Sequence, residues 1–305
     1  MLISLIKVFS IVTCLSQLEP ATADDSVHFK IVGGTVTEIS RTPYQISLRL
    51  KQIDRKQFGR GHICGGTVIS QRLVVTATHC LYDGRSRNMR SPKDFVLIMG
   101  NSYLQTRSVT MQQYNVQKLI PHPQYNPTNL QNDIALIFIN GFIPWKSIVR
   151  ALPLARVTTD VGTPCLISGW GSTVTGGTSS QTLQSATVPV ISQTECNAKY
   201  GYITAAQLCA GYMSGGIDSC QGDSGGPLQC HNTLVGIVSY GRYCAAQDSP
   251  GVYTNVLYYV DWIKKTNRSL DYSYYSSDAR TVVGSKLTVL AIFVAVRQLN
   301  YLERN

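Results

Sequence analysis

Acidic residues are scarce in this chain of 305 residues: 17 Asp and Glu stand against 27 Lys and Arg, a formal net charge of +10. An acidic, self-repelling disordered chain is therefore excluded. Tryptophan is rarer still, at three. The basic residues concentrate in segments 49–60 (Arg49, Lys51, Arg55, Lys56, Arg60) and 83–94 (Arg85, Arg87, Arg90, Lys93), without the regular interleaving of aromatics that a nucleic-acid surface shows. Both segments read as solvated basic loops, and nucleic acid is not an expected partner. No two cysteines stand at CxxC spacing and the histidines fall outside metal-ligand spacing, so no metal and no cofactor is expected. Internal repeats are missing, which excludes a solenoid.

What is present begins with a leader. Met1 to Leu18 is apolar with a lone Lys7, and Ala21-Thr22-Ala23 follows as a small-residue cleavage site. Residues 1–23 read as a secretory signal peptide rather than a membrane anchor, because the apolar core is shorter than the roughly 20 residues a bilayer requires. The mature chain is expected to be secreted and extracellular. Removing the leader removes Cys14 and leaves Cys64, Cys80, Cys165, Cys196, Cys209, Cys220, Cys230 and Cys244. An even count in a secreted chain argues for four disulfides, whose connectivity counting alone does not fix.

Residues 24–30 form a short polar propeptide ending in Lys30, before Ile31-Val32-Gly33-Gly34. A single basic residue ahead of a small apolar N-terminus resembles a proteolytic activation site. From Ile31 to about Asn255, short β-branched runs such as Gln45–Leu48, Leu73–Thr76, Phe95–Ile98, Ile134–Ile137, Cys165–Ser168 and Leu234–Val238 alternate with Gly, Pro and Asn. That pattern predicts an all-β sandwich or barrel. Val256, Tyr259, Val260 and Ile263 then fall at helical spacing, with Lys264 and Lys265 suited to a helix C-terminus, so 256–265 is predicted to be an amphipathic helix. The tail, 268–305, holds a ten-residue apolar run, 287–296, between Lys286 and Arg297. It reads as loosely docked or disordered, with membrane association the lesser alternative. Asn267-Arg268-Ser269 is an acceptor sequence for a glycan.

One stretch organises the chemistry: Asp218-Ser219-Cys220-Gln221-Gly222-Asp223-Ser224-Gly225-Gly226-Pro227. A serine hydroxyl is a poor nucleophile at neutral pH and needs a base beside it and donors for the oxyanion it creates. The glycines let the backbone turn sharply, so that the N–H groups of Gly222 and Ser224 can converge on one point. Among histidines 28, 62, 79, 122 and 231, His79 stands out, because it follows a strand end and precedes Cys80, whose disulfide would hold the ring. His122, between two prolines, reads as a surface residue. Asp133, opening an apolar strand, is a carboxylate that burial would make costly without a partner.

Thr76-Ala77-Thr78-His79-Cys80, Asn132-Asp133-Ile134-Ala135-Leu136 and Gly222-Asp223-Ser224-Gly225-Gly226-Pro227 occur in the order His, Asp, Ser. That order resembles the chymotrypsin-like serine proteases, as do Ile31-Val32-Gly33-Gly34, Ser168-Gly169-Trp170-Gly171 and Pro250-Gly251-Val252-Tyr253, together spanning residues 31–267. The resemblance implies two antiparallel six-stranded β-barrels with a C-terminal helix and a cleft between the barrels. It implies that Ser224 is the nucleophile, His79 its base and Asp133 the partner of His79, with Gly222 and Ser224 forming the oxyanion hole. It implies disulfides Cys64–Cys80, Cys165–Cys230, Cys196–Cys209 and Cys220–Cys244. Cleavage after Lys30 would free the Ile31 ammonium to pair with Asp223. Asp218, with Gly241 and Gly251 as open walls, implies a pocket for Arg or Lys side chains.

The expected protein is thus a secreted serine endopeptidase made as a zymogen, acting on proteins or peptides and meeting an activating protease and protein inhibitors. The alternative of a different class is a non-catalytic homologue serving as a binding or regulatory module. Two departures from the family pattern concern the pocket: Tyr240 stands where Trp is usual, and Tyr243 where trypsins carry a glycine at the rim. A third concerns the family's calcium loop, which needs glutamates, whereas residues 101–117 contain no acidic residue. Calcium is expected to leave the thermal midpoint of the 31–267 domain unchanged in a melting experiment; a calcium-dependent rise would contradict this.

Overall fold

The structure, a computed structural model, describes residues 31–172 and 176–273. The leader, the propeptide with Lys30, and the apolar run 287–296 lie outside the described residues. Strands β1 (Thr35–Val36) and β2 (Gln45–Leu50) are followed by helix α1 (Lys51–Lys56), then β3 (His62–Val68), β4 (Leu73–Thr76), β5 (Phe95–Met99), β6 (Gln112–Pro121) and β7 (Ala135–Asn140). The second half holds β8 (Pro164–Gly169), β9 (Gln184–Ile191), α2 (Gln193–Tyr200), β10 (Gln207–Ala210), β11 (Pro227–Cys230), β12 (Thr233–Tyr240), β13 (Gly251–Asn255) and α3 (Val256–Arg268). Strands β2-β3-β4-β7-β6-β5 close one antiparallel barrel. A second is closed by β8, β9, β10, β13, β12 and β11, since β8 pairs with both β9 and β11, and β1 adds to it along β9. Closure removes the unpaired edges that open sheets expose.

The predicted apolar runs lie in strands, and the residues between them explain what the pattern did not reveal. In β6, Val116 and Leu119 are both buried although three residues apart, because the pairing with β7 shifts register between Val116 and Lys118. A bulge of this kind breaks period-2 alternation, so a polar strand escapes notice. Segment 49–60 is not a solvated loop as expected: it contains α1, and Arg49 is buried against Asp54 at 3.1 Å. Four disulfides join Cys64 to Cys80, Cys165 to Cys230, Cys196 to Cys209, and Cys220 to Cys244.

Of the stripe predicted from spacing, helix α3 buries Val256, Tyr259 and Ile263 in the same core as the first barrel, with Val260 partly buried against it. It runs on to Arg268, so the acceptor Asn267 is helical and buried, its side chain bonded to the Tyr272 hydroxyl. A glycan has no access to it in this fold. His122 is likewise no free surface residue, since its ring packs on Tyr259 and Trp262 of α3. Beyond the helix, Tyr272 packs edge-on against Phe138 at 5.3 Å, and its carbonyl accepts from the buried Arg72 guanidinium, which itself lies over the Phe138 ring. Loss of a buried aromatic ring costs about 3 kcal/mol. Tyr272→Ala is accordingly expected to lower the melting temperature by several degrees, roughly 3 °C per kcal/mol for a domain of this size, and an unchanged midpoint would contradict the docking.

Candidate active site

His79 lies on the short 3-10 turn Thr78–Leu81 that follows β4, pinned by the disulfide at Cys80. Asp133 lies just before β7, the strand that pairs with β4, so ladder register alone brings the two together. The His79 Nδ1 is 2.7 Å from Asp133 Oδ2, and the His79 backbone N–H donates to Oδ1 at 2.9 Å. The Ser239 hydroxyl donates to Oδ2 at 2.6 Å. Asp133 is fully buried, and three donors satisfy its carboxylate. Burial pulls the His79 pKa down, while the charge of Asp133 and its hydrogen bond push it up, and the net shift is upward.

Ser224 sits in the turn between Cys220 and Pro227, and glycines allow that turn to press against the first barrel. Gly225 has φ 78°, and a Cβ there would meet Thr76 Oγ1 at 2.1 Å; a Cβ at Gly65 would meet Gly226 Cα at 3.0 Å. The Ser224 carbonyl accepts from Gly65 N–H at 2.8 Å and lies 3.7 Å from Cys80 Sγ, which is itself 3.8 Å from His79 Nε2. The serine backbone and the free nitrogen of His79 therefore flank one sulfur atom. Among the described residues the Ser224 hydroxyl makes no hydrogen bond, and such contacts tighten on substrate binding. The group of metal-ligand type formed by Cys64, His79 and Cys80 offers no thiolate, because its sulfurs are oxidised to a disulfide.

Asp223 points away from the cleft into the protein. Its oxygens accept from Gly171 N–H at 2.8 Å and Cys220 N–H at 3.0 Å. The Ser168-Gly169-Trp170-Gly171 motif has its cause here, since a Cβ at Gly169 or Gly171 would strike the carboxylate at 2.0 or 2.3 Å. Burial raises the Asp223 pKa to about 6 against the two N–H bonds, and no ion pair reaches it among the described residues.

Asp218 lies in a cavity of about 160 Å³ whose walls include Val238, Tyr240, Gly241, Tyr243 and Gly251. It is buried and accepts from Ser219 N–H at 2.8 Å and Ala245 N–H at 3.3 Å. Burial raises its pKa to about 7, and the charge of Asp223 adds to the rise. A Cβ at Gly251 would come within 2.9 Å of Asp218 Oδ1, whereas one at Gly241 would meet nothing within 4 Å. The departure at Tyr243 falls at the cavity mouth, where the side chain is largely solvent-exposed.

A model of the family described as Trypsin matches residues 31–263. The chain belongs to the trypsin family. It is 42% identical over 247 residues to the anionic trypsin of Canis lupus familiaris, covering 80% of this chain and 91% of that protein. It is 40% identical to the trypsin of Sus scrofa, over 80% of this chain and 97% of the other, and 38% identical to that of Xenopus laevis, over 85% and 98%. The protein is a serine endopeptidase. No helix among the described residues is long and apolar enough to cross a membrane.

Sequence reading overlooked Ser239, whose polar side chain ends the apolar run of β12, and Thr254, whose hydroxyl donates to the Asp133 carbonyl at 2.8 Å. A serine closing an apolar strand is the one local signal. Because the upward pull on His79 comes from Asp133, Asp133→Asn is expected to bring the imidazole pKa down. Proton NMR titration of the His79 ring would measure it, and an unmoved pKa would refute the coupling.

Proposed function

We propose that this chain is a secreted zymogen which, once cut between Lys30 and Ile31, hydrolyses peptide bonds after Arg or Lys. The observation that carries this reading is the 2.7 Å pair of His79 and Asp133 beside a glycine turn presenting Ser224. Ser224 Oγ attacks the scissile carbonyl; His79 Nε2 takes its proton and returns it to the leaving amine. Asp133 holds the ring and stabilises its cation. The N–H groups of Gly222 and Ser224 bind the oxyanion, each such donor being worth about 3 kcal/mol in the transition state. Protein and peptide substrates fit this chemistry, as do an activating protease and protein inhibitors.

Specificity follows from Asp218. Among the described residues this buried carboxylate has no cation beside it, which favours a substrate that brings one, and Gly241 and Gly251 leave room for its chain. Asp218→Ser is expected to cut kcat/KM for Arg and Lys substrates by orders of magnitude, and an unchanged preference would overturn the pocket assignment. On the acid side two effects separate: kcat falls as His79 protonates, while KM for Arg substrates rises as pH drops through about 7 and Asp218 loses its charge. Stoichiometric labelling of the processed protein by a serine-directed reagent distinguishes the enzyme from a non-catalytic module.

Activation has a physical basis in Asp223 and Ile31. Ile31 is buried and has φ 62°, a region that costs an ordinary residue about 1–2 kcal/mol. Cutting the Lys30–Ile31 bond abolishes that torsion and frees an ammonium that can move to pair with the desolvated Asp223 carboxylate. The raised Asp223 pKa means that the folded state binds its proton more tightly than the unfolded one. Its contribution to stability therefore declines as pH rises from about 4 through about 6. A paired ammonium keeps Asp223 ionised and removes this decline. Urea unfolding of an uncleavable Lys30→Gln variant is expected to show a steeper loss of stability over that window than the processed protein; equal slopes would count against the switch, as would equal activity.

A further inference from the structure

We propose that Arg49 is a positioning residue for the oxyanion loop: through Ser47 it fixes His62 in the one tautomer that can hold the Gly222 carbonyl. The proposal rests on the oxyanion role given to Gly222 above. Ser47 and Arg49 lie two apart on β2 and so share a face of the strand. Arg49 is 1% exposed, and its Nε donates to Ser47 Oγ at 2.8 Å. Ser47 Oγ is 2.8 Å from His62 Nδ1, and His62 Nε2 is 3.1 Å from the Gly222 carbonyl. Four groups thus form one line of hydrogen bonds from the first barrel to the loop of the second.

Both ends of that line favour one direction. A carbonyl only accepts, so the ring proton faces Gly222 O from Nε2 and leaves Nδ1 to accept from the Ser47 hydroxyl; a guanidinium only donates, so Arg49 occupies a Ser47 lone pair and holds the hydroxyl proton turned toward Nδ1. Nδ1 is then bare, the ring proton resides on Nε2, and Nε2–H donates to Gly222 O. The opposite tautomer would aim two donors at Ser47 Oγ and set a lone pair against the carbonyl. An imidazolium is disfavoured because burial together with the Arg49 charge holds the His62 pKa down to about 3. Gly222 has φ 97° and no side chain to resist rotation, so this anchor on its carbonyl is what restrains the residue whose N–H is the oxyanion donor. Arg49 is itself immobilised by Asp54, by the Leu104 carbonyl at 2.9 Å and by the Phe58 ring at 4.4 Å. Helix α1 exists in this account to seat Asp54, whose Oδ1 also accepts from Gly59 N–H at 2.7 Å.

The test uses the full chain processed at Lys30–Ile31. Arg49→Lys keeps a cation beside Asp54 but lacks the Nε–H; Ser47→Ala removes the relay; Ser47→Thr retains a hydroxyl. Nitrogen-15 NMR of histidine-labelled protein, recorded in a Ser224→Ala background, reads the protonation of both His62 nitrogens independently of turnover. The parent is expected to show a protonated Nε2 and a bare Nδ1 throughout about pH 5 to 8. Arg49→Lys and Ser47→Ala are expected to show mixed tautomers, and, with Ser224 intact, a kcat lowered about tenfold at nearly constant KM, the mark of an interaction made only in the transition state. Ser47→Thr should restore both. A single unchanged tautomer in both variants overturns the proposal, and so does a lost kcat without a tautomer change. The spectra decide the tautomer whether or not Ser224 is the nucleophile, whereas undiminished proteolysis by Ser224→Ala would sink the catalytic reading alone.

Discussion

Everything in the cleft depends on two barrels meeting backbone to backbone. Gly65 on β3 and Gly226 after the Ser224 turn leave no side chain between them, and the Gly65 N–H bonds directly to the Ser224 carbonyl. A single methyl group at that seam would push the serine turn away from the disulfide on which His79 rests. Catalytic geometry here is a packing tolerance of a few tenths of an ångström, set by residues that perform no chemistry.

Three buried carboxylates near the cleft illustrate how environment separates roles. Asp133 accepts from three donors, two of them from His79, and is held as a partner for a ring. Asp218 and Asp223 have only backbone N–H donors and a small hydroxyl near them, and burial raises both pKa values. Among the described residues neither has a cation beside it, and the proposed function supplies one to each: a substrate at Asp218, the new terminus at Asp223.

The sequence made much of this legible because the chemistry-bearing residues sit in short motifs whose glycines and neighbours have local causes. Gly169 and Gly171 must lack side chains because Asp223 fills their space, and Gly225 because Thr76 does. The strands Leu73–Thr76 and Ala135–Asn140 were readable as apolar runs, and the stripe of α3 as a helical period. Other features depended on distance rather than neighbourhood. Ser47 and Asp54 lie close to Arg49 in the chain, but nothing there announces that it is buried, since its guanidinium is also held by the Leu104 carbonyl, 55 residues on. The bulge in β6 hid an alternating strand, and Asn267 looked like an open glycan acceptor until Tyr272 folded back over it. Ser192 did carry a local signal, the N-cap of α2 whose hydroxyl accepts from the Glu195 N–H, which reading for strands passed over.

Burial holds the Asp218 carboxyl up at about 7, so it is partly protonated at neutral pH. A guanidinium or ammonium seated there, as the proposed function requires, would stabilise the anion, and each binding event would expel a fraction of a proton into the medium. The heat of association would then carry the ionisation enthalpy of whichever buffer takes up that proton. Apparent affinity for cationic ligands becomes a property of the solution as well as of the cleft.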